Sequence, residues 1–213
     1  MTYRMTALHT IKDLMHKAIC LLEASYCPER SDRFHPSASS ITSPNLLALQ
    51  RRELITLCNS PEKTSALLLA NVVTRIALEK RTPTLLVTGK HSLTVLAVNL
   101  LLWRAGINLE EAINPAWDEN EFARLTVAAG ELASASLLVV RTMPFLTFRN
   151  MAHAAIANHG TRWVVMDRAE TESFGQLSKL SCELGVPITI TSSASVGCWR
   201  RASGKRSGRN GVE

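Results

Sequence analysis

Aromatic side chains are scarce in this 213-residue chain, at 5% with only two tyrosines, which excludes a long base-stacking platform for single-stranded nucleic acid. The four tryptophans, Trp103, Trp117, Trp163 and Trp199, are dispersed, and the first three read as core or interface residues. Cysteines stand at 20, 27, 58, 182 and 198, an odd number with no C-x-x-C pair and no histidines at zinc-ligand spacing. That pattern argues against both a disulfide framework and a zinc site, and fits reduced thiols in a cytoplasm. No stretch reaches the roughly 18 apolar residues that cross a bilayer. The N-terminus carries Arg4, Lys12, Asp13 and Lys17 where a secretory signal has an apolar core. A soluble cytoplasmic protein with no membrane partner is therefore expected. No internal repeat is apparent.

What is present suits one α/β domain with modest extensions. Hydrophobic residues make up 46% of the chain, enough for one sizeable core. The 24 Lys and Arg exceed the 18 Asp and Glu, giving a formal charge of +6 and making contact with phosphate backbones plausible. Part of the excess is local. Arg200, Arg201, Lys205, Arg206 and Arg209 alternate with Ser and Gly in residues 197–213, which read as a basic flexible tail and a candidate DNA-binding arm.

Leu8, Ile11, Met15, Ala18 and Leu22 recur at helical spacing, with Leu14 and Ile19 widening the stripe, so an amphipathic helix is expected over residues 6–26. Periodicity leaves open whether it folds back on its own core or lies on a neighbouring subunit. Residues 27–43, rich in Ser and Pro, read as a linker that sets this helix apart, and the main domain then runs from 44 to 196. There, short apolar runs alternate with helical stretches, the pattern of a mostly parallel sheet of about five strands. Expected strands are Leu54–Cys58, Thr84–Thr88, Leu137–Arg141, Trp163–Asp167 and Pro187–Thr191. Helices are expected over roughly 63–80, 92–105, 118–133, 147–158 and 172–184, with Gly106, Gly130, Gly160 and Gly185 as stop signals.

Ligands of open parallel sheets bind beyond the carboxyl ends of the strands, which directs attention to the loop leaving the first long strand. It reads Leu57-Cys58-Asn59-Ser60-Pro61-Glu62-Lys63-Thr64. Against the phosphate-cradling pattern G-x-x-x-x-G-K-[ST], Lys63 and Thr64 are in place, while Leu57 and Glu62 occupy the glycine positions. A phosphate loop needs glycine-like backbone freedom and no intruding side chain. Glu62 puts a carboxylate where a triphosphate would sit, and like charges a few ångströms apart repel by about 4 kcal/mol at an effective dielectric near 20.

From here the chain resembles the C-terminal motor domain of DnaB-family replicative DNA helicases, a RecA-like P-loop ATPase fold, over about Ile41 to Val196. The resemblance rests on Arg52-Glu53-Leu54-Ile55-Thr56 before the loop, on Trp103-Arg104-Ala105-Gly106-Ile107-Asn108-Leu109, and on Asp118 to Leu132 with Ala128-Ala129-Gly130-Glu131-Leu132. Phe145-Leu146-Thr147 and Glu183-Leu184-Gly185-Val186-Pro187-Ile188 follow in the same order. The N-terminal helix would then be similar to that family's linker helix, which packs on an adjacent subunit.

Carried over by position, the resemblance implies nucleotide contacts at Ser60, Lys63, Thr64, Asp167 and Ser193, with Mg²⁺ held by Thr64 and Asp167 if ATP binds. On residue type alone, Asp167 at the end of an apolar run is more often a turn or cap residue. The family's catalytic glutamate falls on Lys90, which replaces a general base with a cation, and its glutamine sensor on the shorter Ser193. The 18 residues between Asp167 and Val186 are fewer than the family carries there, and the 17 after Val196 are too few for its arginine-finger strands. The primase-binding domain of that family is also absent. These losses imply a relative acting in DNA replication or plasmid and phage DNA maintenance by binding helicase subunits, itself or DNA, without catalysis. A weakly active ATP-binding motor and a basic DNA-binding accessory factor are the alternatives.

Overall fold

The computed structural model describes residues 8–25, 54–58, 69–89, 92–107, 119–167 and 174–192. In chain order these form β1 (His9–Thr10), α1 (Ile11–Ser25), β2 (Leu54–Cys58) and the helical stretch α2 (69–79), whose last turn, Arg75–Glu79, is wound as a π-helix. Then come β3 (Thr84–Thr88), α3 (Leu93–Ala105), α4 (Glu119–Ser134), β4 (Leu137–Arg141), α5 (Phe145–His159), β5 (Trp163–Asp167), α6 (Phe174–Leu184) and β6 (Ile188–Ser192). The strands make one sheet in the order β1-β4-β3-β5-β6-β2. All neighbours are parallel except the two-residue β1, which pairs antiparallel with β4. The expected α/β class and mostly parallel sheet are thus observed.

Alternation along the strands divides the core in two. Leu86, Val139 and Val165 stand in one register row and face α1, α2, α3 and α4. The next row, Leu85, Leu138, Val164 and Ile188, faces α5 and α6. Right-handed crossovers account for the division. The chain moves across the sheet in one direction from β2 through β3 to β4, then returns to β5 and β6, so the earlier helices lie on one face and the later ones on the other. Strands β3 and β5 are buried along their whole length, as strands covered on both faces must be.

Several boundaries differ from expectation for local reasons. The first helix begins at Ile11 because Thr10 caps it. The Asp13 amide donates to Thr10 Oγ1 at 3.3 Å, and the Thr10 hydroxyl donates back to the Asp13 carboxylate at 2.6 Å. This bond holds the Asp13 carboxyl below its ordinary range. His9 and Thr10, expected to be helical, are therefore free to extend β4. The last strand begins at Ile188, since Pro187 has no N–H for the ladder and contributes only its carbonyl, to Val164. One expected stop signal, Gly130, fails. Gly130 lies inside α4, which continues to Ser134, whereas Gly106 and Gly160 end α3 and α5 in the left-handed conformation at φ 65° and 63°. Pro144 sets the start of α5 at Phe145, two residues earlier than expected.

Of the two placements left open for the N-terminal helix, the structure has it on its own chain. Ile11, Leu14, Met15 and Ala18 are at most 2% exposed and join the core with α3 and α4. Deleting the Leu14 side chain should therefore cost about 3 kcal/mol in urea unfolding, as for any buried leucine, whereas the exposed neighbour Lys12→Ala should change stability by less than ~0.5 kcal/mol. Equal, small effects at both sites would place the helix off the core.

On the other face, Glu183 of α6 accepts from Arg149 at 2.6 Å and from His153 at 2.9 Å, tying α6 to α5. The Arg149 contact, then that of His153, holds the Glu183 carboxyl below its ordinary 4.5. A depressed folded value means that the contribution is complete above 4.5 and is lost as pH falls through the lower folded value. Melting of Glu183→Gln beside the natural chain should show a small deficit at neutral pH that closes in acid. A deficit independent of pH would remove the ion pair as its cause.

Candidate functional site

Neighbouring parallel strands whose connections leave in opposite directions open a crevice at their carboxyl ends. That reversal falls between β3 and β5, since β3 leads outward to β4 and β5 leads the other way to β6. The residues at this point are Thr88 and Asp167, which stand in register, with Thr191 of β6 on the far side of Asp167.

Asp167 is 4% exposed, a carboxylate at the carboxyl edge of a strand otherwise made of Trp163, Val164, Val165 and Met166. Burial of an acid on this scale requires partners. One is the Thr191 hydroxyl, which donates to Asp167 Oδ1 at 3.2 Å. A second polar contact lies further back on the same face, where Trp163 Nε1 reaches diagonally to donate to Thr189 Oγ1 at 2.9 Å. β6 thus presents buried hydroxyls at two successive positions of this face, Thr189 and Thr191. Thr88 Oγ1 is buried with no hydrogen-bond partner among the described residues. Native structures rarely leave such a group unsatisfied, which makes this a place where a ligand or water is called for. Gly89 follows, and a Cβ there would meet the Asp167 carbonyl oxygen and Thr142 only at ordinary contact distances, so close approach does not require glycine.

Of the expected site residues, Asp167 alone lies within the described residues. Ser60, Lys63, Thr64, Lys90 and Ser193 lie outside them, as do Glu62 and the basic tail residues Arg200, Arg201, Lys205, Arg206 and Arg209. Their strands are described, however, and the ladders place the ends together. Cys58 of β2 pairs with Ser192 of β6, and Thr191 with Asp167. Lys63 and Thr64 follow β2 in the chain, Lys90 follows β3 and Ser193 follows β6. Leu57, at the first glycine position of the phosphate-loop pattern, is still within β2 and paired with Thr191, so the strand runs one residue past the point where that pattern begins. Sequence reasoning looked to the loop after β2 and missed Thr88 and Thr191, because only the strand order reveals which strand ends are neighbours.

Among the described residues, no three His, Cys, Asp or Glu side chains stand together as a metal site, and no helix is long and apolar enough to cross a membrane.

Fold and site together define an α/β domain with an open, mostly parallel sheet and a buried acid at its switch point. Compared with models of known families and with curated proteins, the chain matches none.

Thr191→Val keeps the shape and removes the donor to Asp167, so it should destabilise by about 1–3 kcal/mol, with recovery when Asp167→Asn is added. Denaturant unfolding of the single and double variants measures the coupling. Additive effects would separate the two side chains.

Proposed function

We propose that the chain is a RecA-like relative of the DnaB-type helicase motor, acting in DNA replication or in plasmid or phage DNA maintenance by binding a helicase subunit or DNA rather than by ATP turnover. One observation supports this reading above the rest. The strand order brings the ends of β2, β3, β5 and β6 to a single edge, with the buried Asp167 at the switch point. The positions that the resemblance assigns to phosphate, metal, base and sensor thus leave from neighbouring strands, the arrangement a nucleotide edge requires.

Residue types at that edge support the non-catalytic half of the reading. Lys63, Thr64 and Asp167 keep groups suited to phosphate and Mg²⁺, but Glu62 opposes a triphosphate and Lys90 stands where a base would orient water. Asp167 and Thr64 would hold Mg²⁺ if the nucleotide bound, and the ion would neutralise charge on the phosphates there. The buried Asp167 is also what favours the second reading, an ATP-binding, weakly active motor.

Calorimetric titration of the full chain with ATP and Mg²⁺ separates the two. The natural chain should show no micromolar binding, and Glu62→Gly with Lys90→Glu should raise affinity about tenfold or more by removing the repulsion and the misplaced cation. Micromolar binding abolished by Lys63→Ala would decide for the motor. Co-purification of the tagged chain with the replicative helicase of its own cell tests the partner, and recovery of unrelated proteins alone would remove it.

A further inference from the structure

The edge of the sheet opposite Asp167, where the strands begin, carries unpaired cations. Lys80 and Arg81 precede β3 and Arg162 precedes β5; all three are exposed, as is His159 at the end of α5. Their two loops are joined, since the Arg162 N–H donates to the Pro83 carbonyl at 2.8 Å. Each loop is also fastened to the helix before it, Thr82 N–H to Ile76 O at 3.1 Å and Thr161 N–H to Ala155 O at 3.3 Å. The two loops that carry the cations are therefore braced against each other and against their helices.

Their grouping on two bonded loops sets them apart, since Lys12, Arg141 and Lys179 are also exposed without a carboxylate partner among the described residues but lie on other elements. Arg75, Arg104, Arg124 and Arg149 each pair with a glutamate on the same or a facing helix. Lys80, Arg81 and Arg162 have no carboxylate partner among the described residues, and residues 80–83 and 159–162 contain no acid. Helix C-termini attract cations, which accounts for Lys80 and His159 within a residue of a helix end. It does not account for Arg162, three residues past α5, nor for Arg81, whose backbone takes φ 49°, the one non-glycine in positive φ among the described residues. Beside Arg162, Thr161 Oγ1 is buried without a hydrogen-bond acceptor.

We infer that Arg81 and Arg162, with Lys80, form a contact surface for the phosphate backbone of double-stranded nucleic acid, at the sheet edge opposite Asp167. Guanidinium forks match phosphate oxygens. The large exposed hydrophobics among the described residues, Leu21, Val95, Phe122, Val127 and Leu146, all lie elsewhere, so the described part of this surface has no apolar anchor of the kind a membrane-binding face or a protein hot spot uses. Among the described residues it carries no exposed aromatic ring, which favours backbone contact without base stacking or sequence readout. The inference rests on these loops alone and does not depend on the helicase reading.

The test is fluorescence anisotropy of the full chain with a labelled duplex over a salt series, together with thermal melting. Arg81→Gly relieves the positive φ, so Arg81→Gly with Arg162→Gln should leave the melting midpoint unchanged or higher while weakening duplex binding. The slope of log K against log salt should fall by about 2. Arg162→Lys should retain most of the slope. Unchanged affinity and slope in the double variant would overturn the inference. So would loss of all binding when the five basic tail residues are changed to Ala with Arg81 and Arg162 intact. A double variant that keeps duplex binding but no longer binds phosphatidylserine vesicles would overturn it in favour of a membrane surface.

Discussion

The ladder between β3 and β5 is the constraint on which the rest of the structure depends. Both strands are buried throughout, and their connections diverge from it, so the division of helices between faces follows from this one parallel pairing. The same pairing sets Thr88 in register with Asp167 at the carboxyl edge. Thr191 completes the arrangement from β6. Fold and candidate site are thus consequences of one register, and a slip of one residue would turn Asp167 onto the face of α5 and α6.

The N-terminal segment shows the same economy. Thr10 ends a short strand and starts a helix at the same point, and the helix then supplies Ile11, Leu14, Met15 and Ala18 to the core above α3 and α4. Because this packing lies within one chain, the domain needs no second subunit to bury that stripe. Any assembly it enters uses other surfaces.

Much of the fold was legible in the sequence because its signals are local. Four of the five long strands coincide with short apolar runs rich in branched residues, and Gly106 and Gly160 end helices as expected. The Thr10–Asp13 cap was also readable, as a Thr followed three residues later by an acid, and its neglect made the first helix too long. The sheet order was not legible, because pairing of β2 with β6 joins residues more than 130 positions apart and no local pattern encodes it. The site divided in the same way. Asp167 was singled out through the resemblance, reading on residue type alone as a turn or cap residue, whereas Thr88 and Thr191 are ordinary strand threonines until the ladder sets them beside it. The cations of the opposite edge were hidden for the same reason, being divided between two loops far apart in the chain.

The two-residue strand β1 has a consequence for the life of the protein among other chains. β4 would otherwise end the sheet with an apolar run, Leu137–Val140, whose backbone donors and acceptors invite a foreign strand. His9 and Thr10 occupy Val139 and Leu138 from outside, and the exposed Arg141 follows where that cover ends. The segment before α1 thus acts as a selvedge, finishing the border of the sheet against fraying into aggregates.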